Sequence, residues 1–198
     1  MSSKVSGKIA RVFSTMFIPP VNLLIASVIL GIYVENDISA SLRLIIVTLI
    51  FGVIIPISVF IYLLKKKKVV NQDAVIKEER TVPYLIGLIL YSTGFLILYG
   101  SITIISLSFW FSYIVNMLII LLINKYWKIS AHALGIAGPF AAMLFVFGLN
   151  AVPFVLLVII VGWSRLKLQC HTPMQVLAGT VLGLFSVYGQ MLIINNMF

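Results

Sequence analysis

Seven apolar runs dominate the chain, at residues 13–34, 41–64, 82–105, 107–124, 130–148, 151–168 and 173–196. A helix needs about 20 such residues to cross a hydrocarbon core. In lipid, every backbone polar group must find its partner inside the segment, which leaves helices as the solution for long apolar runs. The pattern therefore predicts an all-α, polytopic transmembrane helical bundle of about seven spans, forming one transmembrane domain over 1–198.

Composition points the same way. Of the 198 residues 62% are hydrophobic and only 10% are charged, whereas a soluble domain carries about 25% charged residues. Lys4, Lys8 and Arg11 precede the first run, which contains Pro19 and Pro20, lasts to Tyr33 and offers no small-residue cleavage site. It reads as a retained first span rather than a signal peptide. Cys170 is the one cysteine, so no internal disulfide is possible. The net charge of +9 sits beside apolar spans. Membrane topology and anionic lipid headgroups account for it better than nucleic acid does.

The third and fourth runs are expected to join near Ile105–Leu107, and the fifth and sixth to divide at Gly148-Leu149-Asn150, with Pro153 opening the sixth. Pro56 and Pro139 fall inside runs and are expected to kink them. Seven spans put the N-terminus on one side with loops 65–81, 125–129 and 165–172. That side holds 13 of the 14 Lys and Arg residues, against Arg43 alone on the other. The positive-inside rule then makes the basic side cytoplasmic, in a plasma (inner) membrane, with Asn195 to Phe198 outside. The run Lys65 to Lys68 reads as a stop-transfer and lipid-contact feature.

The chain has two histidines, His132 and His171, both at expected helix starts on the basic side. A lone interfacial histidine is most often a hydrogen-bonded surface residue; the surroundings of these two weigh against that. Ser130 is placed to cap the fifth helix, Thr172 to cap the last, and Pro173 suits a first helical position. Helix N-termini bind anions through free N–H groups and the positive dipole end. Two such ends beside Arg165 and Lys128 suit a phosphate, which an arginine fork binds well. Gln175 has two readings. Thr172-x-x-Gln175 fits a capping box, and Gln175 also lies one turn from His171, where its carbonyl would orient the imidazole.

These residues carry a resemblance. Ser164-Arg165-x5-His171-x3-Gln175 resembles the last motif of the type-2 phosphatidic acid phosphatase superfamily, Ser-Arg-x5-His-x3-Asp. Ile129-Ser130-Ala131-His132 resembles its middle motif, Pro-Ser-Gly-His, and Arg80 with Pro83 stands where its first motif, Lys-x6-Arg-Pro, would fall. The resemblance covers residues 77–183, within a core taken as 77–198. In this chain Ile129 and Ala131 replace the proline and glycine of the middle motif. Asp73 stands seven residues before Arg80, where the motif has lysine, and Gln175 replaces the aspartate. Glutamine after His-Thr-x-x is similar to the dolichyl-diphosphate phosphatase branch.

The resemblance implies a phosphatase acting on a lipid phosphate or prenyl diphosphate. His171 would be the nucleophile forming a phosphohistidine, His132 the general acid and Gln175 the orienting group. Arg165, Ser130, Arg80 and either Lys77 or Lys128 would hold the phosphate. It implies no cofactor, and no carboxylate cluster in the sequence is set out to hold a metal. Two alternatives remain: a non-catalytic protein of the same fold that binds a phospholipid or a partner, and a small transporter. The absence of Asp and Glu deep in the runs weighs against the transporter. The lipid and the oligomeric state stay open. Gly179-x-x-x-Gly183 reads as a helix-packing pattern, Cys170 as an inert thiol, Trp110, Trp127 and Trp163 as anchors or packing, and Asn22 and Asn116 as helix bridges.

Overall fold

The computed structural model describes residues 3–198, and every regular element among them is helical. Nine α-helices follow in order: α1 Ser3–Met16, α2 Pro19–Tyr33, α3 Ile38–Val47, α4 Ile55–Lys65, α5 Thr81–Leu98, α6 Ile104–Tyr126, α7 Ala131–Phe147, α8 Val155–Lys167 and α9 Pro173–Met197. Five helical stretches among the described residues are long and apolar enough to cross a membrane, six if the bent pair α1–α2 counts as one span. One of the five, Ala131–Lys167, runs through α7 and α8. The sequence reading divides it in two at Gly148.

The chain packs as two compact units. One comprises Met1–Asn22 and Ile129–Gly189, the other Leu23–Lys128 and Gln190–Phe198. The core taken as 77–198 draws residues from both units.

In the first unit, α1 packs on α8 and α8 on α7. Ile136 and Ala137 of α7 share a buried cluster with Val158 and Val161 of α8. The chain reverses between them at Gly148, whose φ of 57° suits a residue without Cβ, and a 3-10 segment, Gly148–Phe154, leads into α8. Pro153 lies within that segment rather than at the start of α8. Pro139 lies within α7, buried by packing. The run at 13–34 is not one straight span. Pro19 and Pro20 lack N–H groups; the last bond of α1 runs from Phe17 N–H to the Phe13 carbonyl, and α2 begins at Pro19 with a bend of 55°. Asn22 works locally there, its Nδ2 donating to the Phe17 carbonyl at 3.0 Å.

In the second unit, α3 and α4 are joined by a π-helical segment, Thr48–Ile54, buried at Thr48 and Gly52. Ile55 N–H bonds the Ile50 carbonyl, five residues back. This widened turn precedes Pro56, which has no N–H to give and would crowd an α-helical carbonyl. The π segment lies immediately before the position where the sequence predicts a kink. Thr48 and Ser27 hydrogen-bond each other, hydroxyl to hydroxyl at 3.0 Å. The link between the third and fourth runs lies at Tyr99–Thr103, earlier than Ile105–Leu107. Gly100 adopts φ 71° just past α5, and Thr103 caps α6, its Oγ1 accepting from Ser106 N–H. Glu35 braces that cap by accepting from both the N–H and the hydroxyl of Thr103. Trp110 is wholly buried and donates Nε1–H to the Tyr91 carbonyl at 2.8 Å.

Candidate functional site

The first unit carries five of the eight residues singled out from the sequence: Ser130, His132, Arg165, His171 and Gln175. The helices that bear them are locked at close range. A Cβ on Gly179 would stand 2.5 Å from the Ser130 carbonyl oxygen, and one on Gly183 2.7 Å from that of Leu134. A Cβ on Gly138 would in turn meet Val187 at 3.1 Å. Residue numbers rise together along both helices, so α7 and α9 run parallel with backbones nearly touching. The small-residue pattern is therefore a close-packing device, as its spacing suggests. The Ser130 N–H donates to the Gln175 carbonyl at 3.1 Å, which ties the two N-termini together.

Both helix starts are capped as the sequence predicts. The Ser130 hydroxyl accepts from Ala133 N–H at 3.3 Å. Thr172 Oγ1 accepts from Gln175 N–H at 3.4 Å, and Gln175 Oε1 accepts from Thr172 N–H at 3.2 Å, which completes a capping box. The same Oε1 lies 3.1 Å from Nδ1 of His171. One side chain thus makes both contacts, the cap to Thr172 and the approach to His171 Nδ1. His171 is buried at 8% exposure, while His132, on the first turn of α7, is half-buried at the same end of the helix pair.

The short reach from Arg165 to His171 has a structural cause. α8 ends in a Schellman turn: Gln169 N–H donates to Leu166 O and Cys170 N–H to Arg165 O, with Gln169 at φ 55°. That turn fills the five-residue spacer of the motif and fixes His171 relative to the last turn of α8. Arg165 is wholly buried, and its Nη1 donates to the Ser14 hydroxyl on α1. Ser14 was not singled out from the sequence. It lies 151 positions away, and its only signal is a small polar residue in the inward stripe of an amphipathic helix. Cys170 is buried, with its thiol directed at the Leu168 carbonyl.

The other three candidates belong to the second unit, where Arg80 and Lys77 have local duties. Arg80 is buried, donates Nε–H to the Ala74 carbonyl at 2.7 Å and hydrogen-bonds the Tyr84 hydroxyl one turn ahead. Lys77 Nζ donates to the Lys125 carbonyl at 2.8 Å, a cation placed on the C-terminal end of α6. Asn124 Nδ2 returns a bond to the Lys77 carbonyl at 2.7 Å. Lys128 is half-buried just after α6. Among the described residues, no group of three or more His, Cys, Asp or Glu side chains is placed to hold a metal.

Compared with protein-family models, with curated proteins and with solved structures, the chain matches none.

Proposed function

We propose that this protein is a membrane phosphatase that hydrolyses a lipid phosphate or diphosphate monoester through a phosphohistidine on His171. The observation that carries the reading is the contact of His171 Nδ1 with Gln175 Oε1 beside the paired N-termini of α7 and α9. A hydrogen bond on Nδ1 orients the ring so that Nε2 is the attacking nitrogen. Nε2 would form the bond to phosphorus as the P–O bond to the leaving group breaks (an ester bond in a monophosphate, the anhydride bond in a diphosphate), and His132 would protonate the departing oxygen. Water would then cleave the P–N bond and release phosphate. The helix starts of α7 and α9 would turn their positive dipole ends to the phosphate oxygens, and Arg165 would add positive charge. The topology that goes with this reading has seven spans and a cytoplasm-facing site.

The test is phosphate release by the purified protein from phosphatidate, phosphatidylglycerol phosphate and a prenyl diphosphate. The expected result is release from at least one, with an acid-labile phosphoprotein that disappears in His171→Ala. Release from none of the three overturns the reading. The burial of Arg165 and its bond to Ser14 favour a second reading, in which the guanidinium fastens α1 to α8 and the site binds a phosphorylated lipid without turnover. Saturable binding of the same lipids with no phosphate release would establish that one.

A further inference from the structure

Gln175 is an unusual group to orient a nucleophilic histidine, because an amide has two unlike ends. Its oxygen only accepts hydrogen bonds and its nitrogen only donates them. Turned one way it requires a proton on His171 Nδ1. Turned the other way it offers its own N–H to Nδ1 and drives the ring proton to Nε2. A carboxylate has no such ambiguity, since both its oxygens accept. The geometry contains the element that settles the choice. The Thr172 main-chain N–H lies 3.2 Å from the Gln175 atom that also faces His171 Nδ1 at 3.1 Å. A main-chain N–H can only donate, so that atom must be the oxygen, and Nδ1 must carry the proton. Thr172 Oγ1 holds the Gln175 main-chain N–H at 3.4 Å, which keeps the first turn of α9 wound so that the Thr172 N–H stays aimed at Oε1.

We propose that Thr172 is a positioning residue that acts through Gln175: its capping box pins the amide the right way round and so holds neutral His171 as the Nδ1–H tautomer, with the lone pair on Nε2. The use of that lone pair rests on the phosphatase reading above, whereas the tautomer itself does not. The box is dispensable when residue 175 is a carboxylate. It becomes necessary when the residue is glutamine, so the helix cap and the orientation of the histidine are one device in this chain.

The chain has only two histidines, so ring-15N labelling of the full-length protein in detergent resolves both, and a His132→Gln variant assigns them. At a pH where the rings are neutral, His171 is expected to show a protonated Nδ1 and an unprotonated Nε2. Thr172→Ala should give a mixture of tautomers and lower kcat on the order of tenfold with KM little changed. Thr172→Ser should restore both. Adding Gln175→Glu to Thr172→Ala should also restore the single tautomer, because a carboxylate needs no pin. If Thr172→Ala folds poorly, Gln175→Met, which keeps the bulk and loses the acceptor, tests the same link. An Nε2–H tautomer in the native protein overturns the proposal. So does a Thr172→Ala protein that loses thermal stability but keeps the native tautomer, since Thr172 would then only cap the helix. A tautomer that shifts as expected in a protein releasing phosphate from no lipid supports the positioning role and overturns the phosphatase reading alone.

Discussion

The Ser130 N–H and the Gln175 carbonyl oxygen are joined across two helices at 3.1 Å, main chain to main chain. A bond of this kind needs helix axes closer than side chains normally allow, and Gly179 supplies the room. Gly179→Ala would place Cβ 2.5 Å from the Ser130 oxygen, with backbone and the Ala133 Cβ as further neighbours and no flexible side chain to give way. The expected cost is that of overpacking, about 1–3 kcal/mol, read as a lower unfolding temperature in detergent. Gly189→Ala is the control. Nothing lies within 4 Å of its Cβ, so it should be neutral or slightly stabilising, as alanine is in a helix.

The histidines are predicted to separate by leaving group. His171→Ala should abolish turnover for every substrate, because the covalent step has no other nucleophile at that place. His132→Ala should slow alkyl phosphates, whose leaving oxygen needs a proton, by about 100-fold or more, and p-nitrophenyl phosphate much less. Steady-state rates for the two substrate classes measure this. Full activity in His171→Ala would remove the phosphohistidine from the mechanism.

What the sequence makes legible here follows from which forces act locally. The presence of long apolar helices is readable because lipid thickness fixes a length, and caps because Ser130, Thr172 and Pro173 act within one turn. The α5–α6 link lies several residues earlier than expected because Gly100 and Ser101 interrupt an apolar run too briefly to stand out against it. The bend at Pro19 is visible in retrospect as two successive missing N–H groups. The π segment at Thr48–Ile54 has only Pro56 downstream as its local trace. The Arg165–Ser14 bond joins residues 151 apart in sequence and has no local signature. Gln175 is the instructive case. Capping and orientation look like rivals in one dimension, yet a single oxygen lies within reach of both Thr172 N–H and His171 Nδ1.

Ser14 gives a test of how Arg165 is held. Both residues are buried, and Ser14 accepts a hydrogen bond from a charged donor. Such bonds contribute about 1.5–3 kcal/mol, so Ser14→Ala should destabilise the protein by that order. Ser14→Thr, which keeps the hydroxyl, should cost less. If the guanidinium also serves substrate, Ser14→Ala should raise KM for the lipid phosphate as Arg165 loses its fixed position. A loss of stability with KM unchanged would assign Arg165 to the α1–α8 contact alone.

Sidedness is the last prediction, and two arguments conflict over it. The lipid phosphatases that the motifs resemble generally act on the outer or lumenal face, whereas the charge bias puts the basic side, with every candidate residue, in the cytoplasm. On the phosphatase reading a phosphate site needs positive charge, so part of that bias would serve the site. Lys65 to Lys68 have no such use. They are exposed, and Lys67 at φ 55° closes the α4 helix with its N–H on the Leu64 carbonyl. Orientation responds to Lys and Arg in short loops beside the spans, and this run stands in such a loop. Single cysteines at position 68 and at position 36, in a Cys170→Ser background, should therefore differ when intact cells are treated with an impermeant maleimide. Lys68 and Asn36 are both exposed, so either site reacts once the reagent reaches it. Asn36 also lies between the two capping residues Glu35 and Asp37 without sharing their bonds. Position 36 should label and position 68 should label only after permeabilisation. Labelling at position 68 in intact cells, with position 36 silent, would reverse the assignment of the basic side.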